Sequence, residues 1–311
     1  MNVISQLSEW PLRGRRAALA IGMFDGVHLG HQAVLLDTVE QARKHDAVAA
    51  AVTFDLHPNV VVAPSRIPPR IYSLNQRLRA FAQLGMEAVW VIHFDEDFSR
   101  QTGREFVALL QAKAGPLASI TVGQEFTFGR QRGGNVALLR EMGRELGFEA
   151  RGLPPVSEGG QVVSSTRIRE AIRDGKLPEA SRLLGRPYAV AGGVKRGDGR
   201  AREWGFPTAN VDVSGAALPP TGVYLARAHF GTSEYPAVLN LGRRPTVSEA
   251  ELGLRLEAHL LGFSGDLYGQ EVELAFGAKL REEIRFANVE ALRLQIAADV
   301  QTARQYFHVD P

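Results

Sequence analysis

Apolar positions in the first half of the chain fall into two textures. Ala17 to Ile21, Ala47 to Phe54, Glu87 to Phe94 and Ala118 to Val122 are nearly continuous apolar runs, the pattern of strands buried on both faces. The segments between them have helical spacing: Val34, Leu35, Thr38, Val39 and Ala42 line one face of a helix over Gln32 to Ala42. Ser73-Leu-Asn-Gln76 and Thr102-Gly-Arg-Glu105 have capping-box spacing, so they open helices running to Leu84 and through Phe106, Leu109 and Leu110. Asn135 to Leu146 is the next helix. Strands alternating with helices predict right-handed crossovers and an α/β domain, its parallel sheet covered on both faces.

The second half changes texture. Tyr188 to Val194, Gly222 to Phe230, Tyr235 to Leu241, Leu254 to Leu261 and Gln270 to Ala275 are short strands joined by turns rich in glycine and proline. They predict an all-β barrel or sandwich, closed by an amphipathic helix from about Val289 to Tyr306. Between the halves, Pro178 to Leu184 reads as a short helix and Gly185-Arg-Pro187 as its stop and turn. The expected domains are residues 1–185 and 186–311.

Composition agrees with two domains, since 311 residues at 45% hydrophobic supply enough apolar surface for two cores. A net charge of only +2 means that the basic isoelectric point rests on a small arginine excess, so no nucleic-acid partner is expected. There is no cysteine, which excludes disulfides, thiolate catalysis and cysteine metal sites. No apolar run approaches the roughly 18 residues of a spanning helix, and the N-terminus lacks a signal-peptide core. A cytoplasmic protein with no membrane partner is expected, and a homo-oligomer is left open.

Candidate chemistry gathers at the turns that leave the strands. Gly22-Met-Phe-Asp-Gly-Val-His-Leu-Gly-His31 sets His28 and His31 where the first strand hands over to a helix N-terminus. Free backbone N–H groups and the helix dipole favour a phosphate there, and imidazoles can donate to its oxygens as charge develops. Gly22, Gly26 and Gly30 permit close backbone approach. The Asp55-Leu-His57-Pro58 turn and the Gly123 to Gly129 loop fall at the same carboxyl edge of the sheet, where ligands of parallel sheets bind. Ser164-Ser-Thr-Arg-Ile-Arg169 offers three hydroxyls and two arginines at a helix start, more than a cap needs and suited to a polyphosphate. In the second half, Glu257 interrupts the apolar alternation of Leu254, Leu256 and Ala258. Each of these has a plainer reading. Histidines can decorate a loop, hydroxyls can cap, Asn210 can be a turn residue, Glu257 can lie exposed outside the barrel, and Lys195-Arg-Gly-Asp-Gly-Arg200 can be a solvated turn.

The His-x-Gly-His spacing resembles the signature of the nucleotidyltransferase superfamily, with its Rossmann-like parallel sheet, and Ser164 to Arg169 resembles the second signature of that superfamily. The order Phe24 to His31, Thr53 to Pro58, Val122 to Gly129, Ser164 to Arg169 and Leu184-Gly-Arg-Pro-Tyr188 is similar to the prokaryotic bifunctional FAD synthetases, a riboflavin kinase fused to an FMN adenylyltransferase. In the second half, Gly205-Phe-Pro-Thr-Ala-Asn210, Gly222-Val-Tyr224, Asn240 to Thr246, Leu256-Glu-Ala-His259, Asp266 to Gly269 and Leu280 to Phe286 resemble the kinase of that family. The resemblance implies a six-stranded Greek-key barrel and two reactions: riboflavin is phosphorylated by Mg-ATP to FMN, and a second ATP adenylylates FMN to FAD with release of pyrophosphate. It implies His28 and His31 as catalytic at the α-phosphate, and Gly22, Phe24, Gly30, Ser164, Ser165, Thr166 and Arg167 as nucleotide-binding. Asp55, His57, Glu125, Phe126 and Phe128 would bind flavin, Thr208 and Asn210 would bind nucleotide and Mg²⁺, and Glu257 would be the kinase base.

The chain departs from the family pattern at four places. Ala201-Arg202 replaces Gly-Arg, Trp204 replaces an aliphatic residue, Glu125 stands where aspartate or asparagine is usual, and Leu56 replaces proline. The alternatives are a nucleotidyltransferase for another phosphorylated substrate with an inactive barrel, or a nucleotide-sensing or nucleic-acid-binding protein. The last would need a basic stripe interleaved with aromatics, which the sequence lacks.

Overall fold

The computed structural model describes residues 1–4, 14–197, 204–243 and 254–309. Ala201 and Arg202, half of the Lys195 to Arg200 loop and residues 244–246 of the Asn240 to Thr246 motif lie outside them. The chain divides into two compact units, one of residues 1–68 and 74–165, the other of residues 69–73 and 166–311.

The first unit alternates strand and helix as the apolar runs require. In order it contains β1 (Asn2–Ile4), β2 (Ala17–Ile21), α1 (Leu29–Lys44), β3 (Val48–Phe54), α2 (Asn59–Val62), α3 (Leu74–Gln83), β4 (Ala88–Ile92), α4 (Glu96–Ser99) and α5 (Gly103–Ala114). There follow β5 (Leu117–Gly123), α6 (Val136–Leu146), β6 (Glu149–Leu153) and a two-stranded ribbon, β7 (Ser157–Glu158) with β8 (Gln161–Val162). The main sheet is parallel throughout, in the order β1-β4-β3-β2-β5-β6. β2 is wholly buried, so its apolar run packs on both faces, and Leu19, Val52, Trp90, Leu110, Ile120 and Leu139 meet in one core. The Thr102–Glu105 capping box forms, with Thr102 accepting from the Glu105 amide and the Glu105 carboxylate accepting from the Thr102 amide. All loops leaving β2, β3, β4 and β5 emerge at one edge, because the strands are parallel.

The second unit opens with α7 (Ser165–Arg173, its first residue shared with the first unit) and α8 (Leu177–Leu184). α8 stops at Gly185, which takes the left-handed conformation at φ 72°. Then come β9 (Ala189–Lys195), β10 (Ala209–Val211), β11 (Gly222–Phe230), β12 (Ser233–Arg243), β13 (Leu254–Leu260) and β14 (Glu271–Arg281). They close an antiparallel barrel in the order β10-β13-β12-β11-β14-β9, with β9 also paired to β10. Leu256, Ala258 and Leu260 are buried while Arg255, Glu257 and His259 alternate with them on the other face of β13. A C-terminal helix, Val289–Phe307, packs Val300 and Ala303 against Val223, Leu225 and Val238 of the barrel. A forked contact from Arg281 to the buried Asp299, at 3.1 and 2.8 Å, fastens that helix to β14.

Candidate active sites

In the first unit the loop between β2 and α1 is tightly wound. Phe24 (φ 52°), Gly26 (φ 80°) and Val27 (φ 41°) all take positive φ, and a β-branched valine there is a genuine conformational outlier. Burial of Phe24 and Val27 holds the strained backbone in place, the kind of strain that concentrates at functional sites. α1 begins at Leu29, one turn earlier than its apolar spacing predicts, so His31 lies in its first turn and His28 is its N-cap. His28 Nδ1 accepts from the His31 amide at 3.3 Å, so the proton of the neutral His28 ring sits on Nε2. The two imidazoles stack at 3.6 Å between centroids, and the edge of Phe24 meets His31 at 5.3 Å. Gly30 makes room for this stack, since a Cβ there would lie 3.2 Å from the His28 ring, and a Cβ on Gly22 would lie 3.2 Å from Phe24.

Beneath this loop lies Arg77 of α3, 2% exposed. Its guanidinium donates to Met23 O at 2.9 Å, to Thr53 Oγ1 at 2.8 Å and to Phe54 O at 2.9 Å, tying the loop after β2 to the end of β3. Burial pulls this guanidinium down to about 10, against the attraction of Asp25 and Asp55, so it stays charged at neutral pH. Asp55 joins the next pair of strand ends. It accepts from the amides of Leu56 (2.6 Å) and Phe94 (3.2 Å) and pairs with His93 Nδ1 at 2.5 Å. His57 is half-buried, its Nδ1 accepting from the Asn59 amide at 3.1 Å.

A row of phenylalanines continues from the Asp55 turn. Phe54, Phe94, Phe98, Phe106 and Phe128 follow one another at centroid distances of 5.5, 5.5, 5.8 and 5.7 Å, and Phe126 stacks on Phe128 at 5.6 Å. Glycine is required at Gly129 (φ 71°), where a Cβ would come within 2.5 Å of the Gly103 amide nitrogen. Glu125 is exposed on this loop. Ser164 immediately precedes α7, and Ser165 donates to Asp25 O at 3.1 Å, which anchors the helix start to the histidine loop. Thr166 and Arg167 belong to the second unit, where Arg167 is paired with Glu179 of α8 at 2.9 Å.

In the second unit Asn210 of β10 stands directly opposite Glu257 of β13 in the strand register, and opposite Lys195 of β9 on its other side. Arg255 donates through Nε to Asn210 Oδ1 at 2.5 Å and through Nη2 to Glu257 Oε1 at 2.9 Å. Glu257 is on the outer face but only 24% exposed, so it is neither a core residue nor a solvated one. His259, two residues along, bonds through Nδ1 to Pro207 O at 2.8 Å. A carbonyl only accepts, so Nδ1 carries the proton, and burial keeps this ring below its ordinary value despite that bond. The bond fixes the peptide just before the half-buried Thr208. Thr208 just before β10, Asn210 within it and Glu257 on the adjacent β13 thus supply a hydroxyl, an amide oxygen and a carboxylate.

A family model described as FAD synthetase matches residues 12–167, and one described as riboflavin kinase matches residues 184–307. The bifunctional riboflavin kinase/FMN adenylyltransferase of Escherichia coli K12 is 38% identical over 305 residues, 98% of this chain and 96% of that protein. The protein of the same description from Pseudomonas fluorescens is 38% identical over 304 residues, 98% and 97% of the two chains. This chain belongs to the bifunctional riboflavin kinase/FMN adenylyltransferase family. A solved structure described as a macrolide-efflux protein from Streptococcus pneumoniae shares its fold, with TM-score 0.79 at 28% identity over 97% of this chain and 98% of the other. Among the described residues no helix is long and apolar enough to cross a membrane.

For this family member the structure also brings forward residues that motif reading passes over. Arg77 shares the buried stripe of α3 with Ala80 and Phe81, and a charged residue at such a position was the available signal. The phenylalanine row had no sequence signal, because its members come from four separate segments. Arg255 and His259 alternate with Glu257 on β13, which strand periodicity alone would have flagged.

Proposed function

We propose that this chain carries out two successive reactions: phosphorylation of riboflavin by ATP to FMN, and adenylylation of FMN by a second ATP to FAD and pyrophosphate. The observation that carries this reading is that one chain matches a FAD synthetase model over residues 12–167 and a riboflavin kinase model over residues 184–307.

In the first unit, His28 and His31 would donate to the α-phosphate as charge develops on it, and the loop of Gly22, Phe24 and Gly30 would take the nucleotide against the start of α1. Ser164 and Ser165, with Thr166 and Arg167 that follow them in the sequence, would hold the departing pyrophosphate. The flavin ring would lie along Phe126 and Phe128, an apolar aromatic surface suited to a planar heterocycle, with Asp55, His57 and Glu125 addressing its polar edges.

In the second unit, Glu257 would accept the proton of the riboflavin 5′-hydroxyl as it attacks the γ-phosphate. Thr208 and Asn210 fit Mg²⁺, which takes hard oxygen ligands and keeps several waters and substrate phosphates. Bound Mg²⁺ would neutralise charge on the transferring phosphates, and the side chains would position them. The boundary between the adenylyltransferase and kinase domains would fall in sequence after Gly185, and the chain would act in the cytoplasm on small-molecule substrates. Incubating it with riboflavin, ATP and Mg²⁺ and separating the flavins tests this. FAD should accumulate through FMN; absence of both products would refute the reading.

A further inference from the structure

One guanidinium holds two of the three polar groups of the candidate kinase centre. Arg255 donates to Asn210 Oδ1 at 2.5 Å and to Glu257 Oε1 at 2.9 Å, and it is only 29% exposed. Gly197 closes over the cluster: a Cβ there would fall 2.8 Å from Arg255 Nη2 and 2.1 Å from Asn210 Nδ2. Arginine suits this bridge because its planar fork reaches two acceptors at once, which a single ammonium does less well.

The Asn210 oxygen that Arg255 occupies is the atom that would face a divalent cation under the function proposed above, on which this inference rests. That oxygen has two lone pairs, but a guanidinium held on one of them sets a positive charge beside the metal's position, so the two cations oppose each other there. We propose that Arg255 is a positioning residue that latches the kinase centre: it holds Asn210 and Glu257 together before nucleotide enters, and yields Asn210 when the metal–nucleotide binds. Its bond to Glu257 can persist through that exchange, because the carboxylate has a second oxygen for the substrate proton. The latch thus opposes metal–nucleotide binding while it keeps the base aligned, so affinity and turnover move in opposite directions when it is removed.

The test is calorimetric titration of Mg-ADP into the full chain, in parallel with steady-state riboflavin phosphorylation, for the parent, Arg255→Met and Arg255→Lys. Methionine keeps the apolar stem and removes the fork. Arg255→Met should bind Mg-ADP more tightly, by roughly 3- to 10-fold, the worth of one competing hydrogen bond. Its KM for Mg-ATP should fall together with kcat, and Arg255→Lys should lie between it and the parent. FMN-to-FAD conversion at the parent rate shows that the variant chain is folded. Weaker or unchanged Mg-ADP binding in Arg255→Met overturns the latch. Glu257→Gln, measured alongside, separates the two levels of inference. If Glu257→Gln phosphorylates riboflavin at the parent rate, the assignment of the kinase centre falls; if it is inactive while Arg255→Met binds Mg-ADP as the parent does, only the latch falls.

Discussion

His93 and His259 are displaced from the ordinary histidine value in opposite directions, for reasons visible in their partners. The hydrogen bond to Asp55, with its charge, raises the exposed His93 above 6.5, whereas burial lowers His259 below 6.5. Burial alone would raise Asp55, but the bonds from His93 and from the amides of Phe94 and Leu56 outweigh it and hold that carboxylate low. The signs follow. His93 contributes stability that is fully present below 6.5 and is lost as pH rises through its folded value; His259 contributes stability present above 6.5 and lost as pH falls through its folded value. An NMR titration of the imidazole resonances should give one midpoint on each side of 6.5, and Asp55→Asn should return His93 towards it. A His259 midpoint above that of His93 would contradict the geometry. Arg77 makes a second prediction at this scale. Arg77→Met leaves Met23 O, Thr53 Oγ1 and Phe54 O without its donors, at about 1–3 kcal/mol for each buried acceptor stranded. FAD formation and the melting temperature of the α/β unit should fall, while riboflavin phosphorylation at low temperature stays near the parent rate.

At the scale of elements, the long and regular pieces were legible and the short or edge ones were not. β2, β3, β4 and β5 are apolar runs of five to seven residues and coincide with their predicted spans within two residues at each end. β1 has three residues with only Ile4 buried, and β6 carries an arginine and a glycine at the sheet edge, so neither makes an apolar signal. β10 is three residues that begin inside Pro-Thr-Ala-Asn, which reads as a turn until two neighbours pair with it. Five barrel strands were therefore visible in the alternation, and the sixth, which carries Asn210, only in the family resemblance. The candidate residues were legible as motifs, and Arg77 and Arg255 as charges at patterned positions, but what those arginines hold, like the phenylalanine row, depends on tertiary contact between distant segments. The domain boundary is the element-scale question. Leu177, Ala180, Leu183 and Leu184 of α8 are buried, and Arg186 lies over Tyr72 at 4.9 Å while bonding its hydroxyl at 2.8 Å. A fragment from Arg186 onward should fold and phosphorylate riboflavin, but a fragment from Thr166 should melt higher, since α7 and α8 belong to the same compact unit as the barrel. Equal melting temperatures for the two fragments would show that α7 and α8 add nothing to the barrel unit.

For the whole molecule, two chemistries on one chain predict that each can be removed without the other. The three catalytic candidates fall in different units: His28 and His31 lie in the α/β unit and Glu257 in the barrel unit. His28→Ala removes the donor proposed for the α-phosphate, and one preorganised donor is typically worth about 10²–10³ in rate. It also removes the N-cap acceptor of α1, so Asn at this position, which caps well, serves as the variant that separates folding from catalysis. In both, riboflavin should be converted to FMN and stop there. Glu257→Gln keeps the side-chain shape and one acceptor for Arg255 but removes the base, so FMN formation should fall by around 10²–10⁴. FMN supplied to that variant should still become FAD at near the parent rate, because the residues of the α/β unit are unaltered. Measuring both conversions in all three variants settles the division of labour. Loss of riboflavin phosphorylation in folded His28→Asn, or intact FMN formation in Glu257→Gln, would mean that the two chemistries are not housed where the strand ends and the barrel face place them.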